Sequence, residues 1–261
     1  MAKQVFQDVK IADFGWIQVL PTTVKYLADH GAQVIRIESR KRVDSTRTGM
    51  PFKDDKPGLD RAVQFATMNN NKYGITLDLR HPRAFEVVTR IVAWADVIAE
   101  GFTPGTMERL GLGYEQLRAM KPEIIMLSTC NLGQTGPYAS QPGFGITLAA
   151  YTGFSHLTGW PDREPSVPYG AYTDVVTPPL GVVALVAALD YRRRTGKGQH
   201  IDLSQYEVGI QYLTPIVLDY SVNRKVPTRI GNQCSYAAPH GAYPCWGQDR
   251  WCAIAVFNDE E

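Results

Sequence analysis

Few residues in the chain offer chemistry that stands apart from packing, and the first is a lone acid. Asp174 lies in the stretch YGAYTDVVTPPLGVVALVAALDYRRRTGKGQHIDLSQYE, a short way ahead of the apolar run 180–189. A carboxylate at a helix start faces roughly half a positive charge. That charge favours an ionised, reactive carboxylate. Asp is also a common loop acid at helix starts, and the stretch alone leaves both readings open. A second acid, Glu38, ends Val34-Ile35-Arg36-Ile37-Glu38, where a ribose-binding acid sits in a dinucleotide fold. The turn before it reads FGWIQVLP, with one glycine in place of GxGxxG, so classical NAD binding is not expected. Arg40, Lys41 and Arg42 start a polar loop, and Arg109 follows in GFTPGTMERLG. Without a P-loop, exposed cations of this kind are what would hold nucleotide phosphates. The four cysteines form no CxxC pair, and the five histidines no HExxH pair. Cys245 and Cys252 lie seven apart, which is not a usual zinc spacing. No metal site is expected.

The elements that position these groups alternate. Residues 9–14 read as a strand, and a helix over 21–30 is stopped by Gly31. A strand over 32–38 follows. After the polar loop 39–65 come a strand at 75–79, a helix opened by His81-Pro82, and a strand at 97–100. Tyr114 to Met120 reads as a short helix, 124–129 as a buried strand and 146–154 as a helix. Asp174 precedes a helix with Thr177 as N-cap, Pro178 and Pro179 in its first turn and Arg192, Arg193 and Arg194 in its last. Gly196 and Gly198 stop it. Because 180–189 is apolar all round, this helix is expected to be buried. His200 to Leu203 is a closing strand. The alternation predicts an α/β domain around a mainly parallel, Rossmann-like sheet lacking GxGxxG.

After Glu207 the rhythm changes. The expected division is a large α/β domain over 1–207, a linker over 208–229 and the start of a smaller domain over 230–261. That last piece is too short to bury a core alone, since domains below about 40 residues rarely stand unaided. The chain has 261 residues, 44% hydrophobic and 20% charged, with a formal net charge of +1. Such a balance gives no electrostatic case for nucleic acid or an anionic membrane. No apolar run reaches the roughly 18 residues of a membrane span. MAKQVFQDVK lacks the apolar core of a signal peptide, which points to the cytoplasm.

Taken together, the blocks VIRIE, NK with ITLDL, FTPG with RLG, Asp174 and TGKGQHID resemble the class III coenzyme A transferases, the family of formyl-CoA and carnitine CoA transferases. The resemblance covers most of the chain in the right order. It implies that Asp174 is a nucleophile that attacks an acyl-CoA thioester, giving a mixed anhydride and then an aspartyl-CoA thioester. A carboxylic acid collects the CoA. No tightly bound cofactor is implied, because coenzyme A enters as a substrate thioester. The resemblance makes Gln18 a second catalytic candidate. It places Ile17 and Val19 beside the thioester and pantetheine, Leu77 near the adenine, Phe102 on the CoA path and Arg109 near the phosphates. Ser39 stands where an arginine contacts the nucleotide, so Arg40 is the expected substitute. Trp16 replaces a histidine, Gly101 an asparagine and Pro142 a lysine.

The family's subunits interlock as dimers, and its members are longer. The resemblance thus implies a homodimer, or a hetero-oligomer, and a chain continuing beyond residue 261. Residues 231–241 match a glycine-rich loop that covers the site, with His240 as an acyl-carboxylate contact or an ordinary loop histidine. Two other functions remain open: an acyl-CoA racemase or isomerase, and a non-catalytic CoA-binding subunit. Racemases of the superfamily carry a histidine where Phe144 stands, and transfer therefore fits better than proton exchange.

Overall fold

The computed structural model describes residues 4–260. Six parallel strands form its main sheet: β1 (Lys10–Phe14), β2 (Gln33–Glu38), β3 (Tyr73–Thr76), β4 (Val97–Glu100), β5 (Ile125–Cys130) and β6 (His200–Ser204). Their order is β3-β2-β1-β4-β5-β6. Chain direction across the sheet reverses between β1 and β4, and such a switch point opens a crevice at the carboxyl ends of the strands. The connecting helices are α1 (Val19–Asp29), α2 (Val63–Asn69), α3 (Ala84–Trp94), α4 (Thr106–Arg109), α5 (Tyr114–Met120), α6 (Gly145–Tyr151), α7 (Phe154–Leu157) and α8 (Tyr172–Thr195).

Alternation along each strand divides the core into two layers. Ile11, Val34, Val97, Ala99, Ile125 and Leu127 face Leu20, Val24 and Leu27 of α1 and Leu185 and Ala188 of α8. Their neighbours Ala12, Ile37, Ile98 and Met126 face the opposite layer, with Val88, Ile91 and Val92 of α3, Met107 of α4 and Leu117 of α5. Each large side chain buried here contributes about 1.5–3 kcal/mol relative to exposure. Both faces of the sheet are covered, as parallel sheets require.

The helix carrying Asp174 differs from expectation at its start. It begins at Tyr172, not near Pro178. Thr177 is not its N-cap but an interior residue whose Oγ1 donates to the Thr173 carbonyl at 2.7 Å. Pro178 and Pro179 therefore lie inside the helix, where each removes a backbone hydrogen bond. Burial of Thr173, Thr177 and Pro178 shows why the early turn persists: tertiary packing overrides the local stop signal. Nor is α8 buried all round. Val175, Pro179, Val183 and Val186 are exposed along one side. By length and composition, α8 is apolar enough to cross a membrane, more than the run 180–189 alone indicates. Its inner face lies against α1 and the sheet.

Most of 208–229, the expected linker, is helical. In α9 (Gln205–Tyr212), Ser204 caps the start by accepting the Glu207 N–H at 3.3 Å, and Val208 joins the core. It is followed by α10 (Thr214–Asn223), none of whose residues is buried. Beyond it, β7 (His240–Pro244) and β8 (Trp251–Ala255) pair antiparallel. Residues 240–244 read as loop in the sequence and are a strand.

Candidate active site

At the switch point the loops after β1, β4 and β5 enclose a cavity of about 530 Å³. Its walls include Trp16, Ile17, Gln18 and Val19 from the first loop, Gly101 and Phe102 from the second, and Asn131 and residues 139–146 from the third. Asp174 closes the set from the first turn of α8. Two catalytic candidates, Gln18 and Asp174, and three binding candidates, Ile17, Val19 and Phe102, thus line one space.

Asp174 is partly buried, and its carboxylate forms no hydrogen bond or ion pair among the described residues. Burial alone pushes it up, to about 6. Desolvation penalises the charged form, yet a group at 6 is still mostly ionised at neutral pH. The wall behind it is glycine. A Cβ at Gly145 would come within 2.7 Å of the Asp174 Cγ and Oδ1 and of the Ala171 Cβ. Only hydrogen fits there, and the start of α6 can approach the carboxylate closely. Thr173 Oγ1 donates to the Gly145 carbonyl at 3.3 Å and ties the two helix starts together.

Gln18 stands at the N-cap of α1. The preceding residue, Ile17, has φ 66°, a region that a β-branched side chain rarely adopts. Pro21 in the first turn of α1 carries no N–H. Among the described residues, the N–H groups of Val19 and Leu20 at the α1 start donate to no acceptor, and both residues are on the cavity wall.

A second cavity, of about 430 Å³, lies over the ends of β2 and β3. Leu77 lines it with Ile37, Leu79 and Leu110. Trp16 and Phe102 line both cavities, so the two spaces share a wall. The cations on the second are Lys41, Arg42 and Arg80. Arg42 lies 5.0 Å over the Trp16 ring, and Lys41 pairs with Asp78 at 2.6 Å. Arg40 is exposed and lines neither space; its two successors in the same basic run do. Arg109 is also off both walls, and its Nη2 donates to Thr106 Oγ1 at 2.8 Å, Thr106 being on the second cavity.

Glu100 holds the wall that Phe102 forms. Its Oε2 accepts the Phe102 N–H at 2.8 Å, and Gln134 Nε2 reaches Oε1 at 3.4 Å. Burial raises Glu100 to about 7, against the lowering by hydrogen bonds from Ser128 and the Phe102 backbone. Cys130 lines the first cavity and is pushed by burial to about 11, which keeps it a thiol. His240 sits in β7, its Nδ1 2.6 Å from the Asn232 carbonyl, on a separate cavity lined by 231–233, 240–242 and 253–255. Among the described residues, no cluster of three or more His, Cys, Asp or Glu is placed to hold a metal.

The sequence over residues 6–261 matches CoA-transferase family III. It is 34% identical over 260 residues to the succinate–glutarate CoA-transferase of Agrobacterium fabrum, covering 98% of this chain and 64% of the relative. It is 32% identical to the beta subunit of the succinyl-CoA–L-malate CoA-transferase of Chloroflexus aurantiacus, covering 97% of this chain and 62% of that one. The chain therefore spans less than two-thirds of the length of these curated relatives. A crystal structure of a CAIB/BAIF family protein from Brucella suis superposes with a TM-score of 0.89 at 35% identity, covering 99% of this chain and 68% of that one. With the fold, the family match and the near-complete alignments in agreement, the chain belongs to CoA-transferase family III.

Proposed function

We propose that the protein transfers coenzyme A from an acyl-CoA thioester to a carboxylic acid, with Asp174 as the covalent acceptor. The observation that carries this reading is the Asp174 carboxylate itself: desolvated, without a hydrogen-bonded partner among the described residues, on a cavity at the switch point. A carboxylate that is neither capped nor paired keeps its lone pairs for an electrophile.

In the first step an Asp174 oxygen attacks the thioester carbonyl, the C–S bond breaks, and CoA leaves as thiolate from an acyl–aspartyl anhydride. The thiolate then attacks the aspartyl carbonyl, releasing the first carboxylate and leaving an aspartyl-CoA thioester. An incoming carboxylate attacks that thioester, forming a second anhydride and freeing the thiolate again. The thiolate takes the new acyl group, and Asp174 is restored. No net proton moves, and the reaction exchanges one thioester for another. The Gln18 amide and the N–H groups of Val19 and Leu20 are suited to stabilise the oxyanions, since helix-start donors act strongly in a dry site. Among the described residues on this cavity, Asp174 and Cys130 are the titratable side chains, and Cys130 stays protonated. A pair of proton-transfer groups, which a racemase needs, is not formed by these two.

The second cavity suits the nucleotide end of CoA, with Leu77 and Phe102 as apolar walls and Lys41, Arg42 and Arg80 toward the phosphates. Both relatives are named for dicarboxylates, and short dicarboxylic acids are the acceptor class to screen first, with succinyl-CoA as donor. The working protein is taken to be oligomeric, as a homodimer or a pair of related subunits. Incubation of the full-length protein with an acyl-CoA, followed by hydroxylamine, is expected to convert Asp174 to a hydroxamate. An unmodified Asp174 peptide during active turnover would overturn the proposal.

A further inference from the structure

Gln18 sits beside the most constrained backbone in the cavity. Seven described residues other than glycine have positive φ, and Ile17 is the β-branched one among them. Its side chain is 47% exposed, so packing does not hold it there. A hydrogen bond does: the Ile17 N–H donates to Asp44 Oδ2 at 3.1 Å, across a gap of 27 residues. Asp44 is buried and saturated. Oδ2 also accepts from Arg36 Nη2 at 2.5 Å, and Oδ1 accepts from the Thr46 N–H at 2.9 Å and Thr46 Oγ1 at 2.7 Å.

The same buried ionic frame grips the segment on either side. Asp13 Oδ1 accepts the Gly15 N–H at 2.8 Å. Lys72 Nζ donates to Asp13 Oδ2 and to the Pro21 carbonyl, each at 2.9 Å. Arg36 joins the two acids, with its Nη1 3.7 Å from Asp13 Oδ2. The chain from Gly15 to Pro21 is thus fixed at three points, and the middle one holds the unfavourable conformation. Strained backbone persists only where the surroundings over-determine it, and it gathers at functional sites.

We propose that Asp44 is a positioning residue: by accepting the Ile17 N–H it holds Ile17 in the left-handed region and thereby sets where Gln18 stands in the Asp174 cavity. The proposal rests on the reading of Asp174 and Gln18 as the reacting centre. Without the bond Ile17 relaxes to negative φ, and the next peptide unit turns away. Glycine at 17 would not need the clamp, since it takes positive φ at no steric cost.

The test uses the full-length protein with Asp44→Asn, Asp44→Ala and the double variant Asp44→Ala/Ile17→Gly. Amide hydrogen exchange over 15–18 is expected to quicken by about tenfold or more in the single variants, with β4 and β5 still protected. Transfer kcat is expected to fall by at least about tenfold at nearly constant KM for the acyl-CoA, because misplacing a group near the chemistry acts on the transition state. The double variant is expected to regain at least about threefold in kcat without regaining thermal stability. Unchanged exchange at 15–18 would overturn the proposal, as would a kcat loss that Ile17→Gly leaves untouched. If Asp44→Ala does not fold, the nearly isosteric Asp44→Asn, alone and combined with Ile17→Gly, is read by the same two criteria. Asp174→Ala separates the two readings: if it still transfers CoA, the reacting centre is misassigned, while the exchange result stands by itself.

Discussion

Two carboxylates are withdrawn from solvent at the same edge of the sheet, with opposite surroundings. Asp44 accepts four hydrogen bonds, one of them from a buried guanidinium. Asp174 accepts none among the described residues and is raised to about 6. Hydrogen bonding to an anion lowers its energy and its reactivity together. Asp44 is thus spent on holding backbone, while Asp174 is left with an uncommitted charge that an acyl group can relieve. Withdrawal from water does not by itself mark a reactive acid. On the proposed reading, the donors that the fold supplies to Asp44 and withholds from Asp174 separate a strut from a nucleophile.

Replacement should expose the contrast most sharply in activity. Asp174→Ala is expected to cut CoA transfer by about a thousandfold or more, as loss of a covalent nucleophile does. Stability should move the other way around. Asp44→Ala takes from Arg36 one of its three carboxylate partners, Asp13 and Glu38 remaining, and is expected to cost about 3 kcal/mol in urea unfolding, the scale for breaking a buried pair. Gly145→Ala pushes a methyl group against the Asp174 carboxylate and the Ala171 Cβ, and about a hundredfold loss in kcat is expected together with an overpacking cost of about 1–3 kcal/mol.

Smaller effects refine the comparison. For Asp174 the folded-state pKa is about 6 against an ordinary 3.8. The native state therefore binds its proton more readily than the unfolded chain does. The resulting penalty is full above pH 6 and vanishes below pH 3.8. After discounting for its solvent contact, Asp174→Asn is expected to stabilise the protein by about 1 kcal/mol at pH 8, with the gain fading toward pH 4. The same group makes the anion the reactive form, so kcat/KM should rise with pH through an inflection near 6. Smallest of all is the basic loop. Arg40→Ala should leave KM for the acyl-CoA unchanged, while Lys41→Ala and Arg42→Ala each raise it by about three- to tenfold, the worth of an exposed phosphate contact.

Much of this fold is written locally. Short, mostly apolar runs alternating with helical stretches mark the parallel strands, and glycines at 31 and 196 stop helices where the structure stops them. What escaped is set by distant contacts. The first turn of α8 is held by burial of Thr173 and Thr177, against the signal of two prolines. Strand β7, HGAYP, has no periodic pattern and exists through pairing with β8. Of the residues that the resemblance singles out, the structure puts Asp174, Gln18, Ile17, Val19 and Phe102 on one cavity and Leu77 on its neighbour. Within the basic run Arg40-Lys41-Arg42, Lys41 and Arg42 line the second cavity and Arg40 does not, because the path of a loop decides which of three adjacent cations turns inward. Gly145 and Asp44 gave no sequence signal, since a close approach and a clamp across 27 residues are properties of packing.

The central claim is that Asp174 exchanges an oxygen with the acceptor acid. An acceptor labelled with ¹⁸O in its carboxylate attacks the aspartyl thioester, and the bridging oxygen stays on the enzyme when the thiolate removes the acyl group. Mass spectrometry of the Asp174 peptide after turnover is expected to show ¹⁸O in that side chain, accumulating with each cycle. Product acyl-CoA formed from labelled acceptor while Asp174 stays unlabelled would contradict the account.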